Sequence, residues 1–381
     1  MRVAYVTTDP GIPAFGSKGA SVHVQAILGA FLRRGAEVTL FAPAPGFVPG
    51  ALAGLRVVPL PGAPKGAPGE RETALMALDA DLPARLAAAG RFDLIYERHA
   101  LFASGAMTFA MAAGVPSVLE VNAPLLVEQA RHRALARGED AVVRTGWAMA
   151  AAGRVVAVSA AVAEYARAHG ASAPMVAPNG VDPTRFDVAS RRDGPFTAGF
   201  VGTLKPWHDT AALVAALPHL RARVPDARLM IVGDGPERGP LAAQAAALGL
   251  AHAVAFTGAL PPEAVPAALA RMHAGAAPYR GDQPFYFSPL KLYEYMAAGL
   301  PVVASDVGDL AAIVGAAGAG ATVPPDRPDL LGAALADLAA DPARAGALGA
   351  SGRAHVAAQC GWDRVLDRIL HGLVPSLAGA A

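Results

Sequence analysis

Cysteine occurs once, at Cys360, so no internal disulfide can form and no thiol pair is available for a metal. Lysine is nearly as scarce: Lys18, Lys65, Lys205 and Lys291 stand against twenty-eight arginines, so each lysine is worth examining. Charge of one sign is lacking as well. The 32 basic and 31 acidic side chains leave a net charge of +1, which removes the global electrostatic case for nucleic acid. Long apolar runs are also rare, and the one uncharged stretch of membrane length, 100–119, is broken by Gly114-Val115-Pro116 and rich in Ala, Gly and Ser. It reads as helix, turn and strand. A secretory leader is not legible, because Met1 to Val6 resembles a buried strand running into a loop. A cytoplasmic chain is expected. Arg131, Arg133, Arg137 and Arg144 fall in one predicted helical region, which leaves open a peripheral contact with the inner membrane face; the plainer reading is a solvated helix face.

What is present is alternation. Short apolar runs at 2–7, 37–42, 93–96, 117–121 and 154–159 are separated by helical stretches such as 22–34 and 100–113, the pattern of parallel strands with helical crossovers. A second series follows the Pro-, Asp- and Arg-rich stretch 177–195, with strands predicted at 197–202, 228–233, 254–257, 274–278 and 301–305. A chain of 381 residues is long for one core. The α/β fold class therefore takes the form of two Rossmann-like, doubly wound domains: 1–185, then 186–360, with a C-terminal helix in 361–381 expected to pack back on the first. Ligands of open parallel sheets bind beyond the strand C-termini, so the two domains are expected to face each other across a substrate cleft.

The most informative segment runs from Phe287 to Ser305, F-S-P-L-K-L-Y-E-Y-M-A-A-G-L-P-V-V-A-S. Ser288 suits a helix cap and Pro289 the first helical position, which places the amides of Leu290 and Lys291 in a turn of unpartnered donors. Such a turn seats anions. Lys291 adds a mobile positive charge, and Glu294, three residues on along the same face, offers a carboxylate to hydroxyl groups. The bland alternative is an ordinary helix start with a solvated ion pair. Phosphate beside polyol points to a nucleotide-sugar.

Other candidates sit at predicted strand ends. Gly202, Thr203 and Lys205 follow the strand that opens the second domain, offering loop amides and a second cation, and Gly233 marks another strand-to-helix turn. In the first domain, Gly16, Lys18 and Gly19 form a glycine-rich loop that lets backbone approach a phosphate or an acceptor. His99 follows one strand, while Glu120 and Asn122, two apart and so on one strand face, end another and could bind a sugar or acceptor. A G-x-G-x-x-G dinucleotide fingerprint, a Ser-His-Asp or Cys-His pairing and a metal-spaced His/Cys cluster are all missing, which counts against nicotinamide, triad and metal chemistry.

These residues resemble the retaining family 4 glycosyltransferases of GT-B fold, through the loop 16–24, Pro178-Asn-Gly-Val-Asp182, Phe200-Val-Gly-Thr-Leu204, Gly233-Asp-Gly-Pro236 and above all 288–305. The resemblance implies a nucleotide-diphosphate sugar as donor in the second domain, with Glu294 on the ribose and the 288–291 turn near the diphosphate. It implies a hydroxyl acceptor on the first domain, no cofactor and no obligatory metal. Transfer with retention would be front-face attack, the leaving phosphate helping to deprotonate the acceptor while Lys205 and Lys291 stabilise it. The chain departs from the family pattern at Thr203 and His208, where Arg and Lys are usual, at Asn122, where His is common, and at Tyr286, where the first of two paired glutamates is expected. Asp282 is a candidate substitute for that glutamate. A sugar-nucleotide epimerase or hydrolase of the same fold, or a non-catalytic sugar-nucleotide binder, are the rival readings. Nucleobase, sugar, acceptor and oligomeric state have no readable motif.

Overall fold

The computed structural model describes residues 1–16, 18–132, 134–286 and 288–374. Contacts divide the chain into two compact units: the first holds Met1–Asn179, Tyr286–Ser288 and the chain from Trp362 on, and the second holds Gly180–Phe285 and Pro289–Gly361.

The first unit is built on β1 (Arg2–Thr7), β2 (Glu37–Pro43), β3 (Arg56–Leu60), β4 (Leu94–Arg98), β5 (Ser117–Val121), β6 (Arg154–Ala157) and β7 (Met175–Val176), all parallel, in the order β3-β2-β1-β4-β5-β6-β7. Helices cover both faces of such a sheet, so its central strands are apolar without alternation: five of the six residues of β1 and all of β4 and β5 are buried. The uncharged stretch resolves into helix Gly105–Ala113, a left-handed Gly114 at φ 65° that ends it, and β5. Among the described residues no helix is long and apolar enough to cross a membrane.

Helix Pro68–Ala89, which the apolar pattern did not reveal, buries Leu82 and Leu86 and also two carboxylates, Glu72 and Asp79. The Asp79 carboxylate accepts from the amides of Ser104 and Gly105 at the start of helix Gly105–Ala113, and the Glu72 carboxylate from the amides of Ala136 and Arg137 ahead of helix Gly138–Ala151. These are N-caps delivered from another helix. The arginine-rich region is two helices, Leu125–His132 and Gly138–Ala151, rather than one. Arg144 pairs with Asp79 at 3.0 Å and Arg137 donates to the Thr73 hydroxyl at 2.7 Å, so neither belongs to a free basic face; Arg133 lies outside the described residues.

Helix Trp362–Leu370 packs on helix Gly19–Arg33 within the first unit. Arg34 joins them, its guanidinium reaching Asp363 at 2.5 Å and Asp367 at 2.7 Å.

The second unit is a six-stranded parallel sheet of β8 (Thr197–Val201), β9 (Arg228–Val232), β10 (Val254–Gly258), β11 (Ala274–Ala277), β12 (Val302–Ser305) and β13 (Gly320–Val323), ordered β10-β9-β8-β11-β12-β13. In each sheet the order reverses once, between β1 and β4 in the first and between β8 and β11 in the second. At such a point neighbouring crossovers leave to opposite sides, and the carboxyl ends of the two strands frame a crevice.

Candidate functional site

In the second unit the crevice beyond β8 and β11 is where the rare lysine is found. Lys291, in helix Leu290–Ala297, is 8% exposed, and its Nζ has no hydrogen-bond partner among the described residues. Nζ lies 4.2 Å from the centroid of the Phe200 ring at the end of β8 and 4.9 Å from that of Tyr279 beyond β11. Ring faces attract a cation but do not satisfy its N–H groups, so the ammonium is held in place with donors unspent. Burial pushes its pKa down to about 7, with Glu294 pulling the other way. Burial likewise raises Glu294 to about 7, against Arg185 and Lys291. Two neighbouring groups held near neutrality at these strand ends make this crevice the candidate site of the second unit.

The start of this helix differs from the expectation. It begins at Leu290, with Pro289 as its flanking residue and no side-chain cap, because the Ser288 hydroxyl accepts instead from the Asn179 amide at 2.9 Å within the first unit. The amides of Leu290 and Lys291 still lie in the first turn and receive no side-chain cap. Donors of the kind that can seat an anion are therefore present without the serine.

Two loops form the floor. Gly202 donates to the Val232 carbonyl at 3.0 Å and Leu204 to the Asp234 carbonyl at 2.9 Å, which sews the end of β8 to the end of β9. Gly233 has φ 136°, and a Cβ there would fall 1.9 Å from the Gly202 carbonyl oxygen. Gly233→Ala is accordingly expected to cost about 2 kcal/mol, from a forbidden backbone conformation and a clash with main chain. Urea denaturation would measure it, and an unchanged midpoint would show that the two loops part freely.

Thr203 is exposed, and Lys205 is half-buried with Nζ 5.7 Å from the Trp207 ring centroid. Asp282 is bound to Arg280 by paired contacts of 2.9 and 2.7 Å, and Tyr286 belongs to the first unit, where its hydroxyl donates to Glu128 at 2.5 Å. Both already have partners.

In the first unit the carboxyl ends of β1, β4 and β5 carry polar atoms without partners among the described residues: Thr7 Oγ1, both ring nitrogens of His99 and both amide atoms of Asn122. Buried polar atoms of this kind are rare unless something else binds them. His99 is held neutral, its pKa pushed down to about 4 by burial, with His169 and Arg98 adding to it. Glu120 is half engaged: its Oε1 lies 2.6 Å from His23 Nε2, with Glu120 2% and His23 4% exposed, while its Oε2 is a further buried oxygen without a partner among the described residues. Of the glycine-rich loop, Gly16 donates to Pro13, Gly19 opens the first helix, and Lys18 is exposed with Nζ 3.5 Å from the Gly11 carbonyl.

The aromatic cradle of Lys291 and the His23 partner of Glu120 were missed from sequence. Phe200 stands 79 residues before Tyr279, and Tyr279 twelve before Lys291, and no periodicity links them.

Two Rossmann-like parallel sheets, each with its crevice at the reversal of strand order, define the GT-B class of fold. Solved structures of that class match over nearly the whole chain. Sucrose-phosphate synthase from Thermosynechococcus elongatus superposes with a TM-score of 0.73 at 21% identity, covering 97% of each chain. Anabaena HepE in complex with UDP gives 0.71 at 19% identity, covering 98% of this chain and 99% of that one. Residues 17–185 match the family described as Glycosyltransferase Family 4, and 195–341 match Glycosyl transferases group 1. The chain belongs to the family 4, group 1 glycosyltransferases. Among curated relatives, the GDP-mannose-dependent alpha-(1-6)-phosphatidylinositol monomannoside mannosyltransferase of Mycolicibacterium smegmatis is 36% identical over 211 residues, 50% of this chain and 55% of that protein. The chain thus spans about half the length of the curated relatives it matches.

Proposed function

We propose that the protein is a retaining glycosyltransferase that moves a sugar from a nucleotide diphosphate to a hydroxyl acceptor. The observation that carries this reading is the buried, unpartnered Lys291 ammonium in the switch-point crevice, beside the uncapped first turn of helix Leu290–Ala297. A departing diphosphate supplies the negative charge that both lack, and a preoriented cation in a dry crevice stabilises that charge as it develops. Glu294, one turn further on, is the partner for the ribose hydroxyls. The orphan polar atoms of Thr7, His99 and Asn122 suit an acceptor that brings hydroxyl groups. Positioning and charge stabilisation then suffice, with neither a protein nucleophile nor a metal ion in the scheme.

The curated relatives are named for GDP-mannose and for phosphatidylinositol acceptors, so GDP-mannose with a lipid-linked or free polyol is the first pairing to test. GDP, UDP and ADP should be screened by thermal shift, where a true donor nucleotide at about a hundred times its Kd stabilises by about 2.7 kcal/mol. Turnover of the matching sugar nucleotide should require acceptor and give a product of unchanged anomeric configuration by NMR. Complete conversion of donor alone would point to an epimerase or hydrolase, and tight nucleotide binding without turnover to a binding protein.

A further inference from the structure

His208 shares the cradle of Lys291. Its ring centroid lies 5.9 Å from that of Phe200 and 5.9 Å from that of Tyr279, the two rings that hold the lysine ammonium. Its tautomer follows from one contact. Nδ1 is 2.6 Å from the Thr203 carbonyl oxygen, which can only accept, so Nδ1 carries a proton. In the neutral ring Nε2 is then a bare lone pair, with no hydrogen bond among the described residues. A lone pair repels an anion. One added proton turns it into a charged donor, the stronger kind of hydrogen bond to phosphate.

The surroundings keep the ring uncharged. Burial pushes its pKa down to about 4, the nearby Lys291 lowers it further, and the Thr203 carbonyl opposes them. Helix Leu290–Ala297 presents Lys291 and Glu294, Arg185 acts on Glu294 from the turn Pro183–Phe186, and Lys205 and Asp209 flank the ring on its own segment. Arg280, Asp282 and Asp326 act on Asp209, and Tyr279 contributes a neutral phenol. A diphosphate placed against Lys291 would add an attraction for the charged ring that opposes both the burial penalty and the like-charge repulsion.

We propose that His208 is the second cation of the diphosphate site, neutral while the site is empty and protonated at Nε2 when a nucleotide diphosphate binds. The proton comes from buffer, and only the new N–H bond forms. This rests on the donor-binding reading given above and goes beyond it by coupling donor binding to proton uptake through one residue.

Calorimetric titration of the whole protein with GDP and with UDP, in buffers of differing ionisation enthalpy, counts the protons taken up. The wild type should take up about one proton more per nucleotide than His208→Gln, because the group that changes its protonation is gone. That variant should also bind about tenfold more weakly, the scale of one charge-assisted contact. His208→Lys should recover the affinity while keeping the reduced count, and Lys205→Ala should keep the wild-type count. Imidazole nitrogen NMR of the wild type should show the His208 Nε2 signal, assigned by its loss in the variants, moving to the protonated position at saturation. That signal decides the matter if a variant fails to fold. Equal counts in wild type and His208→Gln with nucleotide bound, or an Nε2 that stays unprotonated, overturn the proposal and leave the donor reading intact. Failure of the wild type to bind GDP and UDP in the titration and ADP in the thermal-shift screen removes both.

Discussion

Replacing Lys291 with methionine is expected to cut turnover about a hundredfold or more, the scale of losing a principal charge stabiliser, while the protein melts at or above the wild-type temperature. The two halves of this result have one cause. A buried ammonium without hydrogen-bond partners is costly to the folded chain, and methionine fills similar space without charge. The sign can be followed with pH. The folded-state pKa of Lys291 lies near 7, below the ordinary lysine value, so the unfolded chain binds more protons across the interval between them and native stability rises with pH there. Below that interval the full penalty applies, and there the variant should gain most. Glu294 has the opposite character: its pKa is raised to about 7, so burying its charge costs stability above that value, and losing the lysine makes this worse. The gain in melting temperature should therefore shrink as pH rises. Scanning calorimetry across pH, with turnover measured on the same samples, tests both parts; full turnover in a folded Lys291→Met protein would sink the donor-site assignment.

His23→Ala should be the most destabilising single change discussed here, at about 3 to 5 kcal/mol, because it strands a buried carboxylate. Burial on its own would raise the Glu120 pKa; His23, by charge and hydrogen bond, together with Arg98 and Tyr96 outweighs it and holds the carboxyl below its usual range. A depressed carboxylate stabilises the fold above its unfolded value and loses that contribution as pH falls through the folded one. With alanine at 23 burial acts with far less opposition, so the dependence should weaken or reverse. The change also removes the edge contact of His23 with Trp362, centroids 4.8 Å apart, which helps hold helix Trp362–Leu370 to the first unit. Urea melts of His23→Ala and His23→Gln separate the effects, since glutamine can keep a hydrogen bond to Glu120. Equal stability of wild type and His23→Ala would mean that Glu120 is already protonated in the native state.

How far the sequence could be read depended on the distance over which each interaction acts. Parallel strands follow from local apolar runs, and β1 and β5 were placed to the residue. Lys291 and Glu294 were legible because three residues of helix put both on one face, and because lysine is rare enough here to draw notice. The helix start was misread because the fate of the Ser288 hydroxyl is decided by Asn179, 109 residues earlier. That one oxygen of Glu120 is taken by His23 was not legible, because the two lie 97 residues apart. Helix Pro68–Ala89 escaped notice because it carries carboxylates on its buried side, where an apolar stripe is the usual signal. Those carboxylates make sense only once the starts of two other helices are in place.

The interlock of Gly202 and Gly233 has a bearing on attempts to change donor preference. Because a side chain at 233 would collide with the main chain of the neighbouring loop, mutational libraries that randomise it would mostly yield destabilised clones. Diversity is better spent at Thr203 and Trp207, both exposed on the same loop and free of such collisions. The glycines then act as a fixed chassis under an adjustable rim.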